Sequence, residues 1–159
     1  MSISLPDMPA LLDRAKACGV MIACAESCTG GMVAAALTQL PGSSAVFDRG
    51  FVTYTNAAKI DMLGVSASTL AAFGAVSEQV AREMAQGALL RSQAQLTVSV
   101  TGIAGPGGSE HKPEGRVCFA IARGSEVVSE TQEFGAPGRD IVRKAARDHA
   151  LSLLLRAIS

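Results

Sequence analysis

The run Val20-Met21-Ile22-Ala23-Cys24-Ala25 leads directly into Glu26-Ser27-Cys28-Thr29-Gly30-Gly31, and a small-residue amphipathic run from Met32 to Leu40 leads out. An apolar stretch, a glycine-marked turn and a helical pattern in that order read as strand, tight turn, helix. A hydroxyl, a thiol and two glycines then stand at the C-terminal end of a strand, beside the first amides of a helix. Open α/β sheets bind ligands at that edge, and a helix N-terminus favours negative charge. A second glycine cluster, Thr101-Gly102-Ile103-Ala104-Gly105-Pro106-Gly107-Gly108, follows another apolar strand, Leu96 to Val100. Two such turns in 159 residues point to one shared site.

The remaining pattern fills in a layered domain. Pro6 to Cys18 reads as an opening helix with Leu11, Leu12 and Ala15 on its apolar face and Gly19 at its end. Pro41-Gly42-Ser43-Ser44 breaks the second helix, Phe47 to Thr55 reads as a strand, and a short helix opens near Asn56. Ser66 to Phe73 and Ser77 to Arg91 are helical, the second with Val80, Met84, Ala88 and Leu89 at helical spacing. Arg116 to Arg123 and Glu126 to Phe134 form a hairpin around Gly124-Ser125. Gly138 to Ile158 closes the chain as a helix, with Ile141, Val142, Ala145, Ala146, Leu153 and Leu154 facing inward. The expectation is a single α/β domain of three layers, α/β/α, with a mixed sheet of about five strands and about five helices.

Composition excludes several classes. Fourteen basic residues balance fourteen acidic ones, so no basic field argues for nucleic acid. With no Trp, one Tyr and five Phe, a base-stacking surface is poorly supplied. No secretory leader or membrane span is visible, which implies a cytoplasmic protein with no membrane partner. The four cysteines, Cys18, Cys24, Cys28 and Cys118, contain no C-x-x-C pair, and only His111 and His149 are available beside them. Neither a metal site nor a disulfide is expected. The phosphate-loop, dinucleotide-fold and H-E-x-x-H signatures are all missing, and no histidine is placed for a serine triad.

Serine with lysine or tyrosine is what remains. Ser27 can point into the sheet-edge crevice, where the amides of Cys28 to Gly31 face a developing oxyanion. Its alternative is helix capping, shared with Thr29. Tyr54 falls at a strand end on the same face as Val52, and an Asn56 cap puts Lys59 in the first turn of the next helix. A cation is disfavoured there by the helix dipole, so the amine is more readily neutral, as a general base requires. A solvated surface lysine is the alternative. Arg139, opening the last helix, gains nothing from the dipole and suits an anionic ligand or an acidic partner. Glu26 is read as a site acid or as an acceptor for turn amides. Cys28 is a candidate nucleophile or a buried structural thiol.

Four segments together, Ala25 to Gly31, Arg49-Gly50-Phe51-Val52-Thr53-Tyr54, Gly74-Ala75-Val76-Ser77 and Thr101 to Pro106, closely resemble the CinA C-terminal-domain family. Members of that family are nicotinamide-nucleotide amidohydrolases. The resemblance runs in order from Val20 to the closing helix. It implies metal-free, cofactor-free hydrolysis of the carboxamide of nicotinamide mononucleotide, yielding nicotinate mononucleotide and ammonia. Ser27, Ser44, Tyr54, Lys59, Thr101 and Arg139 occupy family site positions, Thr101 where some relatives have serine. The implied site is of Ser-Lys type: Lys59 accepts the serine proton, Tyr54 relays it or orients the amine, and the attacked amide passes through an acyl-enzyme. Ser27 is favoured as nucleophile for its helix-terminus donors, with Ser44 as the rival.

Gly30, Gly31, Thr101, Gly102 and Arg139 are the expected substrate-binding set, the glycine amides and Arg139 taking the phosphate. Larger relatives carry an added N-terminal domain, and this chain is expected to be the stand-alone form and a homo-oligomer. The rival readings are a Cys28-dependent amidase and a non-catalytic nucleotide-binding module linked to competence or DNA damage.

Overall fold

The fold begins from a strand with no solvent-facing side. All five residues of β1 (Ile22–Glu26) are buried, so a layer must cover each face of it. In the computed structural model, which describes residues 6–159, β1 has β2 (Phe47–Val52) on one side and β3 (Leu96–Gly102) on the other, both parallel to it. The antiparallel pair β4 (Arg116–Arg123) and β5 (Glu126–Glu133) completes the order β2-β1-β3-β4-β5. This is the expected three-layer α/β/α domain with a five-stranded mixed sheet.

Alternation along the strands assigns the two faces. Ile22, Cys24, Val98, Val100, Val117 and Phe119 share one core with helices α1 (Met8–Cys18), α2 (Met32–Leu37) and α6 (Arg139–Ala157). The opposite face is lined by small side chains, Ala25, Cys118, Ala120 and Ala122 among them. Helices α3 (Asn56–Leu63), α4 (Ala67–Phe73) and α5 (Glu78–Leu90) cover it. Thr97 and Ser99 also face α5 and donate to its Ala85 and Ala81 carbonyls at 2.7 and 2.6 Å, which satisfies two buried hydroxyls.

Connectivity positions the site. From β1 the chain crosses through α2 to β2 at one edge, then returns through α3–α5 to β3 on the other side of β1. The carboxyl ends of β1 and β3 therefore diverge in opposite directions, which is the switch point where open α/β sheets form a ligand crevice.

Several expectations are corrected. Six α-helices are present among the described residues rather than about five, and β2 ends at Val52, short of Thr55. Ile141 is 45% exposed, not inward-facing, while Val142, Ala145 and Ala146 carry the buried stripe of α6. Thr55, not Asn56, caps α3, its side chain accepting from the Ala58 amide at 3.0 Å. The start of the chain, residues 1–5, where no secretory leader is visible in the sequence, lies outside the described residues.

Candidate active site

Glu26 organises the first glycine turn from beneath. Its fully buried carboxylate accepts from the amides of Gly31, Val33 and Ala34 at 3.2, 2.9 and 3.0 Å, and from the Thr29 hydroxyl at 2.6 Å. The positive φ of Gly30 (56°) and Gly31 (108°) lets the chain curl over that carboxylate. Of its two readings, Glu26 therefore takes the second: it caps α2 from inside the fold. Gly30 and Gly31 are part of this turn and do not line the crevice, which leaves the Gly31 amide committed to Glu26.

Above this support, Ser27 Oγ lies 3.1 Å from Lys59 Nζ, although the two residues are 32 positions apart. Lys59 is 1% exposed, and its amine also reaches the carbonyls of Thr53 and Tyr54 at 3.0 and 3.2 Å. Three acceptors match the three protons of an ammonium. In the neutral amine, the two carbonyls take both N–H groups and the lone pair is left facing Ser27. Burial holds the Lys59 pKa below the ordinary lysine value. Desolvation, rather than the helix dipole alone, thus supplies the downward pressure.

The neighbouring groups are placed as follows. Thr101, 1% exposed, donates to the Ala75 carbonyl at 2.8 Å and fixes the opposite wall. At Gly102 a Cβ would fall 2.6 Å from Val117 Cγ2 and 3.0 Å from the Arg116 carbonyl, so glycine is needed for β3 to turn beside β4. Arg139 donates to the Gly105 carbonyl at 2.6 Å and to Tyr54 Oη at 3.1 Å. Tyr54 meets Lys59 only through its carbonyl; its phenol is held by Arg139, away from the dyad.

Ser44 is not brought to the crevice. It sits in a single 3-10 turn (Ser43–Ala45) ahead of β2. Because β2 runs parallel to β1, with Ile22 opposite Phe47 and Glu26 opposite Val52, Ser44 lies at the amino edge of the sheet and Ser27 at the carboxyl edge. A five-residue strand separates the two edges by about 16 Å. Return to the same crevice would require an antiparallel β2.

Cys28 lines the crevice but is a poor nucleophile. Burial pushes its thiol up to about 12, so thiolate is scarce at neutral pH. Replacement of Cys28 by alanine should leave kcat/KM for amide hydrolysis within about threefold of wild type. A loss of a hundredfold or more, measured as ammonia release by folded protein, would restore the thiol as nucleophile.

Arg143 was not among the residues singled out in the sequence. It donates from Nε to the Cys28 carbonyl at 3.0 Å and fixes the outer side of the turn that Glu26 holds from within. Its only sequence signal is its position four residues after Arg139, on the same face of α6. Lys112 was missed as well. From the second glycine loop, its amine reaches the carbonyls of Phe73 and Val76, the latter at 2.7 Å.

These groups border a cleft with two adjoining chambers. The inner one, of about 210 Å³, holds Ser27, Lys59, Thr101 and Cys28. The outer one, of about 290 Å³, is lined by the second glycine loop with Glu110 and Lys112. Tyr54, Gly102 and Arg139 border both. No cluster of three or more metal-ligating side chains forms among the described residues. No helix among them is long and apolar enough to cross a membrane.

Fold and cleft define a doubly wound α/β protein whose polar, serine- and lysine-bearing crevice lies at the sheet's switch point. Its family follows from comparison with known proteins, since the profile of the CinA C-terminal domain matches residues 8–158. The chain belongs to that family. A relative from Enterobacter agglomerans named nicotinamide-nucleotide amidohydrolase PncC is 54% identical over 143 residues, covering 89% of this chain and 87% of the relative. A protein of the same name from Escherichia coli K12 is 53% identical over 142 residues, covering 87% and 85%. Among solved structures, a competence/damage inducible protein from Agrobacterium tumefaciens superposes with a TM-score of 0.88 at 50% identity, covering 99% of each chain. A CinA superfamily protein from E. coli gives 0.91 at 38% identity, covering 94% of this chain and 87% of that one.

Proposed function

We propose that the chain is a nicotinamide-nucleotide amidohydrolase that hydrolyses the carboxamide of nicotinamide mononucleotide with Ser27 as nucleophile and Lys59 as general base. The buried Ser27–Lys59 contact carries the reading. A hydroxyl and a desolvated amine at 3.1 Å, open to a cleft, have no structural task that a packed apolar pair would not perform better.

In this mechanism Ser27 Oγ attacks the carboxamide carbon while Lys59 Nζ takes its proton. The negative oxygen of the tetrahedral intermediate faces the amide of Cys28, the residue after the nucleophile, which lines the inner chamber. That amide has no acceptor outside its own residue among the described residues, unlike those committed to Glu26. The Lys59 ammonium then passes its proton to the departing nitrogen, which leaves as ammonia, and the acyl group remains as an ester on Ser27. Water, deprotonated by the same amine, attacks the ester and releases nicotinate mononucleotide, while Ser27 recovers its proton from Lys59. Tyr54 serves through its carbonyl, which orients the amine, and not through its phenol. In the outer chamber Arg139 is the counter-charge for the phosphate, and its bond to Tyr54 Oη is the one it can exchange for a phosphate oxygen.

The experiment is ammonia release from nicotinamide mononucleotide by chelator-treated protein as a function of pH. The base form of Lys59 is the competent one, so kcat/KM should rise with pH through the pKa of that amine. Since burial lowers that pKa, the midpoint of the acid limb should fall below the ordinary lysine value. No ammonia at any pH, with the nucleotide still bound, would establish the binding-module reading instead. A rate that falls as pH rises across this range would exclude Lys59 as the base.

A further inference from the structure

We propose that the ring face of Tyr54 recognises the positive charge of an N-ribosylated pyridinium, so that Tyr54 separates cationic from neutral carboxamides. This rests on the amidase reading above and adds to it the property of the substrate that the cleft selects. Tyr54 is the only tyrosine in a chain without tryptophan, and the only aromatic residue bordering either chamber. It is 60% exposed, and the ring stacks on no other aromatic among the described residues. An aromatic ring left open at the mouth of a polar cleft offers a face on which a ligand can stack.

Two of its polar groups are held in the free protein. The carbonyl is tied to Lys59 at 3.2 Å, which keeps the residue within one side-chain length of the reacting serine. The phenol oxygen accepts from Arg139 at 3.1 Å, a contact to the hydroxyl and not to the ring face, and the residue stays mostly exposed. In the free protein that bond holds the ring at the cleft, so the ligand meets a ring already positioned before Arg139 turns to the phosphate.

Charge balance supplies the remaining argument. A ligand whose carboxamide reaches Ser27 carries its ring into the inner chamber, where the positive nitrogen needs an electron-rich surface. No aspartate or glutamate lines that chamber; Glu110 belongs to the outer one. The quadrupole of Tyr54 is the available partner, and cations stacked on aromatic faces are bound about three- to thirtyfold more tightly than neutral isosteres.

The test compares nicotinamide mononucleotide with the 5′-phosphate of benzamide riboside, which has the same outline but a neutral carbocyclic ring. Affinities are measured by calorimetry, and ammonia release alongside, for wild type, Tyr54→Phe and Tyr54→Leu. The expected result is that Tyr54→Leu weakens the pyridinium nucleotide about three- to thirtyfold and the neutral one less than twofold. Tyr54→Phe, which loses the bond to Arg139 but keeps the ring, should preserve the wild-type ratio between the two ligands. Equal losses on both ligands in Tyr54→Leu would overturn the proposal. A Tyr54→Phe ratio that collapses to that of Tyr54→Leu would overturn it too, because Tyr54 would then act by holding Arg139. Failure of wild type to release ammonia would sink the amidase reading alone, since the affinity ratio still reports on the ring.

Discussion

Lys59→Met should lower kcat/KM for amide hydrolysis by about a thousandfold or more while the protein stays folded, and Lys59→Arg should do no better. A positioned general base is worth about 10²- to 10⁴-fold, and here the same amine also protonates the leaving nitrogen and activates water. Methionine approximates the length and volume of the lysine stem, so the buried position stays filled. Arginine keeps a positive charge but cannot be deprotonated in a protein, and its larger head does not fit among Ser27 Oγ and the carbonyls of Thr53 and Tyr54. The pair of variants therefore separates charge from basicity. Ammonia release is measured under single-turnover conditions, with thermal unfolding as the check on folding. Activity of Lys59→Arg within tenfold of wild type would mean that the amine stabilises charge and takes no proton.

The sequence exposes the scaffold of this site more readily than its contacts. Strand, turn and helix around Ser27 are legible because burial on both faces demands an unbroken apolar run, and because Gly30 and Gly31 mark the turn. The partnership of Ser27 with Lys59 is not local. It arises because β1 and β2 are parallel and adjacent, which brings the turn after Val52 beside the turn after Glu26. That same direction sends Ser44 to the far edge, a consequence that no motif around Ser44 contains. Family resemblance places Ser44 and Tyr54 among site positions without distinguishing a carbonyl contact from a phenol contact, and for Tyr54 the two lead in opposite directions. Ile141 fails as an inward residue because α6 faces both the sheet and α2, which leaves its first turn at the mouth of the cleft. Glu26 is the hardest to read. An acidic residue at the end of an apolar strand suggests chemistry, whereas its oxygens are consumed by the backbone of its own turn.

That consumption makes Glu26→Gln a damaging change despite its conservative size and shape. One carboxylate oxygen accepts from the Thr29 hydroxyl and the amides of Gly31 and Val33, and the other from the Ala34 amide. Cys24 Sγ lies 3.6 Å from that second oxygen. A glutamine can offer its carbonyl to the first set only by turning its NH2 toward the Ala34 N–H, so two donors then face each other in a fully buried place. Turning the amide over moves the conflict to three donors instead of one. Leaving buried donors unsatisfied costs about 1–3 kcal/mol each, and the loss of a buried acceptor at a helix N-terminus adds to it. The expected destabilisation is about 2–4 kcal/mol, which for a chain of this size lowers Tm by about 5–15 °C. Scanning calorimetry reads it directly, and a change under 2 °C would show that the turn does not depend on this carboxylate. The consequence for chemistry follows from the same bonds. Ser27 and the amide of Cys28 stand on the turn that Glu26 holds, so kcat should fall further than the folded fraction accounts for. A kcat that tracks the folded fraction alone would limit Glu26 to stability and leave the donor's alignment to Arg143.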